Sequence, residues 1–300
     1  MKIAITGTSG FVGLNLYDCL KTDYEVIPMS VRYKIGQCFD IQEDIVIHLA
    51  GKAHDLKNVS NPKDYYEANF ELTKQLFDAF LISKASVFVF MSTVKAVSDK
   101  VDGVLTEESI TNPKTHYGIA KYQAEQYILN KKIPKDKRVY ILRPCMIHGQ
   151  GNKGNLNLLY KLVDKGFPWP LGAFENKRSF LSIENLCFVI KELIINKSIQ
   201  SGVYNLADDE PVSTNELIKL LAECLGKKSR IWKINSSLIK FVAKQGDYLF
   251  LPLNSERLHK LTENYIVSND KIVKAMSMAL PIQGNEGLIK TFNSFKEKIK

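Results

Sequence analysis

Short apolar runs recur along the first half of the chain, and between them apolar residues return every three or four positions. Ile3-Ala4-Ile5 suits a strand buried on both faces, and Phe11, Leu14, Leu16 and Leu20 then follow at helical intervals. Tyr24 to Met29 predicts a second strand through Tyr24, Val26 and Ile27, and Asp44 to Leu49 a third. Asn61-Pro62 opens a long helix through Phe70, Leu72, Leu76, Phe77 and Phe80, with Asn61 as cap and Pro62 at the first helical position. Val87 to Met91 is a buried strand, Tyr117 to Leu129 a helix and Val139 to Leu142 the next strand. Such alternation predicts an α/β fold, a Rossmann-type doubly wound parallel sheet covered on both faces. Ligands of such sheets bind at the carboxyl ends of the strands.

After Arg143 the pattern changes. Gly149 to Asn155 is polar and glycine-rich, a crossing point out of the nucleotide domain. Leu156 to Val163 predicts a short helix, Phe167 to Gly172 an irregular turn, Ser179 to Ser182 a strand feeding a helix from Ile183, and Gly202 to Leu206 a last sheet strand. Ser213-Thr214-Asn215-Glu216 is a capping box before a helix that Gly226 stops. From Ser229 onward the expectation is short mixed elements. The predicted division is a dinucleotide-binding domain over 1–150, also receiving elements from about 179–207, and a smaller mixed substrate lobe over 151–300.

Composition narrows the class. The chain has 300 residues, 45% hydrophobic and 24% charged, with no low-complexity segment. No apolar run approaches the roughly 20 residues of a membrane span, and no membrane partner is expected. The N-terminus enters a strand at once, which reads as no signal peptide. Cys19, Cys38, Cys145, Cys187 and Cys224 are scattered without a CxxC pair, as expected of reduced thiols in a cytoplasmic protein without a metal site. Net charge is +9, but the lysines are spread along the length, with a modest cluster at Lys296, Lys298 and Lys300. No basic block is interleaved with aromatics, so nucleic acid is not the expected partner. A polyanionic small molecule fits the mild basic excess.

The candidate chemistry sits at the ends of the predicted strands. Gly7, Gly10 and Gly13 stand at spacing three between the first strand and the first helix. Gly7 allows the sharp turn, Gly10 lets a pyrophosphate approach the backbone, and Gly13 lets the helix lie close on the sheet. The helix N-terminus then presents free N–H groups and a favourable dipole to an anion. Tyr117 and Lys121 are one helical turn apart on one face. A free phenol titrates near about 10. A nearby fixed cation favours the phenolate, so Lys121 is expected to lower Tyr117 and let it pass a proton to or from a substrate oxygen. Thr93, ending the preceding strand, is placed to hydrogen-bond the same oxygen. The plain alternative for the Tyr/Lys pair is an exposed helix face.

Together these pieces resemble the extended short-chain dehydrogenase/reductases that act on nucleotide sugars. The matching segments are GTSGFVG, Asp40-Ile41, HLAG at 48–51, Asn69 with Thr73, Ser92-Thr93, the Tyr117/Lys121 pair, Arg143-Pro144, and Arg178 ahead of FLSIENL. The resemblance implies Thr93, Tyr117 and Lys121 as the catalytic triad. It implies Gly7, Ser9, Gly10, Phe11, Val12, Gly13, Leu49, Ala50, Gly51 and Pro144 on the cofactor, and Asp40-Ile41 near its adenine. Asn69 would support the catalytic loop, and Ser92 with Thr93 would face the sugar. Arg178 would lie on the substrate diphosphate, unless it is a surface salt-bridge partner, and Asn155 and the Pro170-Leu171 turn along the nucleotide. A homodimer through helices spanning 64–84 and 117–131 is also implied.

Three departures narrow the expected reaction. The family's sugar 4,6-dehydratases carry an Asp-Glu pair after the threonine, where this chain has Val94-Lys95, which argues against dehydration. NAD-binding members place an acid at the end of the second strand, where this chain has Ser30-Val31-Arg32; Asp23 and Glu25 are at its start. Ser30 and Arg32 suit a 2′-phosphate, so NADP(H) is favoured over NAD(H). The Val-Tyr-Gly that follows the catalytic hydroxyl in 4-epimerases is also missing. The expectation is an NADPH-dependent reductase of a UDP-4-keto-6-deoxy-N-acetylhexosamine in surface-polysaccharide synthesis. The alternatives are a UDP-hexose 4-epimerase holding NAD and a non-catalytic NADP-binding regulator.

Overall fold

A computed structural model describes residues 1–53, 61–152, 154–249 and 254–297; Lys298 and Lys300 of the basic cluster lie outside them. A six-stranded, all-parallel sheet takes five strands from the N-terminal half and its sixth from residues 202–206. Its strands are β1 (Lys2–Thr6), β2 (Glu25–Met29), β3 (Ile45–His48), β4 (Val87–Met91), β6 (Arg138–Pro144) and β9 (Gly202–Leu206), in the order β2-β1-β3-β4-β6-β9. The chain leaves β1 for β2 on one side, then crosses back to β3 on the other. The strand order therefore reverses between β1 and β3, and their carboxyl ends frame the crevice where such sheets hold ligands.

Alternating side chains of the strands feed two cores. Ile3, Ile5, Ile47, Val89 and Leu142 pack with Leu16 and Leu20 of α1 (Phe11–Leu20) and Leu186, Ile190 and Leu193 of α6 (Ile183–Ile195). Val46, Phe88, Phe90 and Ile141 pack with Phe77 and Phe80 of α3 (Leu72–Ile82) and Ala124 and Ile128 of α4 (His116–Leu129). Burial on both faces explains why the strands read as continuous apolar runs.

The helix expected after Asn61 begins as α2 (Pro62–Tyr66), capped by the Asn61 side chain on Lys63 N–H at 3.0 Å. It then passes through a π turn (Glu67–Glu71) before α3, an interruption absent from the apolar spacing. Such a bulge shifts the helix register and often marks a functional position.

A third core gathers α5 (Asn155–Asp164), α7 (Thr214–Cys224), α8 (Ser236–Leu249), α9 (Ser255–Thr262) and α11 (Gly284–Glu297) through Leu156, Leu217, Leu221, Ile239, Leu258, Leu288 and Phe292. The capping box at Ser213 and Glu216 forms as expected. The stretch after Ser229 differs from the expected short elements, since α8 and α11 each run 14 residues. The Leu288, Phe292, Phe295 spacing carries α11 into the core. Two short parallel pairs, β5 (Val104–Leu105) with β10 (Ile266–Val267) and β7 (Met146–His148) with β8 (Phe180–Ser182), tie the parts together.

Candidate active site

The crevice begins at the β1–α1 turn. Gly7 adopts φ +72, and a Cβ on Gly13 would stand 2.2 Å from Gly7 O, so the helix lies on the turn only because both are glycine. Gly10 caps α1, whose first turn carries no acid to oppose an anion, and Ser9 and Gly10 are exposed there. Phe11 and Val12 are half-buried against the core. This cradle fits a dinucleotide diphosphate.

Across the crevice, one hydrogen-bond chain fixes the end of β3. Thr6 Oγ1 accepts the N–H groups of Leu49 (3.1 Å) and Ala50 (3.0 Å), so its own proton goes to His48 Nδ1 at 2.8 Å. Thr73 Oγ1 donates to Asn69 O (2.8 Å) and accepts from His48 Nε2 at 3.0 Å. These roles define the tautomer. Burial and then the Lys121 charge push His48 down to about 3, so the imidazole is neutral. Asn69 sits in the π turn; its Oδ1 accepts Lys52 N–H (3.1 Å), and its Nδ2 donates to Lys52 O and Tyr65 O (3.0 Å each). The π turn thereby holds the loop at Gly51.

Ser30 and Arg32 are exposed just past the carboxyl end of β2, while Asp23 and Glu25 pair with Lys191 and Lys2 at its other end. Asp40 accepts from Gln42 Nε2 at 2.7 Å, and Ile41 is buried with Val46 and Phe77.

The catalytic candidates meet because α4 packs against the turn after β4. A Cβ on Gly118 would stand 2.4 Å from Lys95 O, so glycine lets the helix start lie on that turn. Thr115 caps α4 by accepting Gly118 N–H at 3.2 Å. Thr93 Oγ1 accepts Lys95 N–H (3.2 Å), and its hydroxyl is close enough to the phenol of Tyr117 to lower its titration. Lys121 is buried; its ammonium donates to Met91 O at 2.8 Å, stands 4.7 Å over the Phe90 ring, and lies 3.3 Å from where a Cβ on Gly51 would be.

The expected lowering of Tyr117 by Lys121 is not what this arrangement produces. Burial pushes Tyr117 up to about 12, opposed only by the Thr93 hydrogen bond. Burial also pushes Lys121 down to about 7, opposed by the Glu125 charge. Desolvation dominates at both groups, and the Lys121 ammonium is directed to Met91 O.

Glu125, which sequence reasoning passed over, lies one further turn along the Tyr117–Lys121 face. It is buried and accepts Ser92 Oγ–H, Arg143 Nη2 at 2.6 Å and Arg143 Nε at 3.0 and 3.1 Å. Ser92 and Arg143 were visible as strand-end residues; the i+4 spacing from Lys121 was the missed signal. Ser92, expected to face the sugar, is buried with its hydroxyl turned to Glu125, and Pro144 is buried beside Arg143.

On the substrate side, Arg178 donates to Lys260 O and stands 3.8 Å from Glu263, a largely buried pair rather than a free cation. Lys95, lowered by burial and influenced by Asp99, Glu263 and Arg178, joins this group, so the Arg178 cluster borders the Thr93 turn. Asn155 is exposed at the first turn of α5. Pro170-Leu171 leads into Gly172, which with Lys177, Asn215, Lys233 and Asn264 lines a cavity of about 650 Å³. Among the described residues, the Asn155 side chain makes no hydrogen bond to Thr93, Tyr117 or Lys121.

Residues 3–207 match the family described as the NAD dependent epimerase/dehydratase family. The chain is 31% identical over 258 residues to a UDP-glucose 4-epimerase of Vibrio cholerae, covering 78% of each. It is 26% identical to a GDP-6-deoxy-D-mannose reductase of Pseudomonas aeruginosa, covering 74% of this chain and 79% of that protein. The fold is also that of the UDP-glucuronic acid 4-epimerase of Bacillus cereus in complex with NAD, with TM-score 0.75, 20% identity and full coverage of both chains. RMD from Pseudomonas aeruginosa, complexed with NADPH, superposes with TM-score 0.75 at 21% identity over 99% of each chain.

Proposed function

The chain belongs to the NAD dependent epimerase/dehydratase family, and on that premise we propose that it is an NADP(H)-dependent nucleotide-sugar oxidoreductase. The proposed reaction is reduction of the C4 keto group of a UDP-4-keto-6-deoxy-N-acetylhexosamine in surface-polysaccharide synthesis, in the cytoplasm. The observation that carries an oxidoreductase reading is the gathering of Thr93, Tyr117 and Lys121 at the carboxyl end of β4, Lys121 one turn after Tyr117 on α4 with its ammonium on Met91 O at 2.8 Å. An intact proton donor of this kind also argues against a non-catalytic regulator.

Bound nicotinamide supplies the hydride chemistry. Thr93 and Tyr117 would hold the sugar's C4 oxygen between two hydroxyls, and Tyr117 would deliver the proton that this oxygen needs when it becomes an alkoxide. A phenol held near 12 is fully protonated at neutral pH, the state a proton donor requires. Lys121 would hold the ribose and, when charged, ease the proton's departure. Gly7 to Gly13 would hold the diphosphate, and Arg178 the sugar's diphosphate in exchange for its contact with Glu263.

Ser30 and Arg32, exposed just past the end of β2 where the sequence carries no acid, support NADP(H) over NAD(H). A second reading, a UDP-hexose 4-epimerase that retains NAD, is supported by the likeness to the Vibrio cholerae protein. Denaturing extraction of the purified protein separates the two: stoichiometric bound NAD selects the epimerase, and an empty site binding NADPH far more tightly than NADH selects the reductase. We also propose a dimer through α2–α3 and α4, whose ends expose Ile82 and Leu129. A monomer in light scattering at micromolar concentration rules it out.

A further inference from the structure

Helix α8 has three faces, and only one is explained by the fold. Ile239 and Ala243 are buried in the C-terminal core. Leu238, Phe241, Val242 and Tyr248 are 55%, 59%, 42% and 70% exposed. At 100° per residue these four fall on one stripe, about 15 Å long at 1.5 Å rise per residue. Lys240 and Lys244 stand exposed along its flank. Trp232, just before the helix, is 56% exposed. Scattered single apolar residues on a surface need no account, but four on one face of a single helix do.

We propose that this face of α8 docks the C-terminal lobe on an anionic lipid surface. Its composition is that of a helix lying in the membrane interface: Leu, Phe and Val on one side, lysines beside them, and Trp and Tyr at headgroup depth. Between residues 227 and 260 the sequence carries eight basic residues against two acidic ones, a local excess of +6 that includes Lys240 and Lys244 of the helix itself. Anionic headgroups neutralise that charge. A second copy of the chain would bring like charges together across a twofold axis, which disfavours a subunit contact here. A helix resting on the surface is a different matter from a span, and no helix among the described residues is long and apolar enough to cross a membrane.

The docked helix is one element from the substrate cluster. α9 packs on α8, and its Lys260 carbonyl accepts from Arg178. Docking would therefore bring the Arg178 side of the lobe to the membrane. The inference is independent of the sugar and the cofactor, because its test reads lipid binding rather than turnover.

The test is co-sedimentation of the full chain with phosphatidylcholine vesicles, with and without phosphatidylglycerol. The expected result is binding that requires phosphatidylglycerol and weakens with salt. Lys240→Gln and Lys244→Gln should each weaken it by about fivefold. The double variant Leu238→Ser/Phe241→Ser should weaken it at least about tenfold, with turnover of soluble substrate unchanged. Brominated phospholipids should quench Trp232 in the unmodified protein, Trp169 being buried. The proposal is overturned by absence of binding to anionic vesicles at low salt, or by equal binding of the Ser variant. It also fails if that variant turns a dimer into a monomer, because the stripe is then a subunit contact.

Discussion

Arg143 grips Glu125 through two nitrogens inside the protein, with Nη2 to Oε2 at 2.6 Å, side chains 5% and 0% exposed, on strand β6 and helix α4 respectively. Removing the acid leaves a guanidinium buried without its counter-charge, a loss of about 3–5 kcal/mol. Glu125→Leu should lower the melting temperature by roughly 10 °C. An unchanged midpoint in a thermal scan would mean that the pair adds nothing.

Lys121 carries the opposite lesson. Its folded value of about 7 lies below the 10.5 of the unfolded chain, so unfolding takes up a proton between those values. Stability therefore rises with pH across that window, and the charged-form penalty is fully present below about pH 7. Lys121→Met should stabilise the protein at pH 7 and below, the gain fading toward pH 10, while abolishing turnover. Denaturant midpoints measured from pH 6 to 10 check the slope; a gain independent of pH contradicts the assignment.

Thr93 lowers Tyr117 by hydrogen bonding, against the larger effect of burial. Thr93→Val should move the basic limb of the pH–rate profile upward, because the phenolate loses its donor. Tyr117→Phe should cut kcat by about 10²–10⁴-fold with cofactor affinity retained. A Tyr117→Phe protein with normal turnover would remove the proton donor from the mechanism.

At the turn, a methyl on Gly13 cannot be placed without moving Gly7 O or Thr8, both backbone. Gly13→Ala should abolish nicotinamide binding in calorimetry while far-ultraviolet circular dichroism remains near native. Retained affinity would place the dinucleotide elsewhere.

Arg32 tests the cofactor reading by reversal. Arg32→Asp should convert a preference for NADPH into one for NADH, since the carboxylate repels a 2′-phosphate and accepts from a 2′-hydroxyl. An unchanged ratio of kcat/KM for the two cofactors removes Arg32 from that role.

The sequence by itself determined what depends on neighbours along the chain. Apolar runs marked β1, β4 and β9 nearly to the residue, the Asn61 and Ser213 caps formed as written, and Gly7 to Gly13 adopted the turn their spacing demands. Propensity, capping and glycine conformations act within a few residues, so they are legible locally. The π turn that aims Asn69 escaped because apolar spacing does not register one extra residue in a helical turn. Only the tertiary structure decided the rest: that burial lifts Tyr117 instead of Lys121 lowering it, that Glu125 finds Arg143, that His48 is neutral between Thr6 and Thr73, and that one stripe of α8 stays outside the core. Each depends on how much water a group loses and which distant residue replaces it, a balance set by packing between strands and helices far apart in the chain.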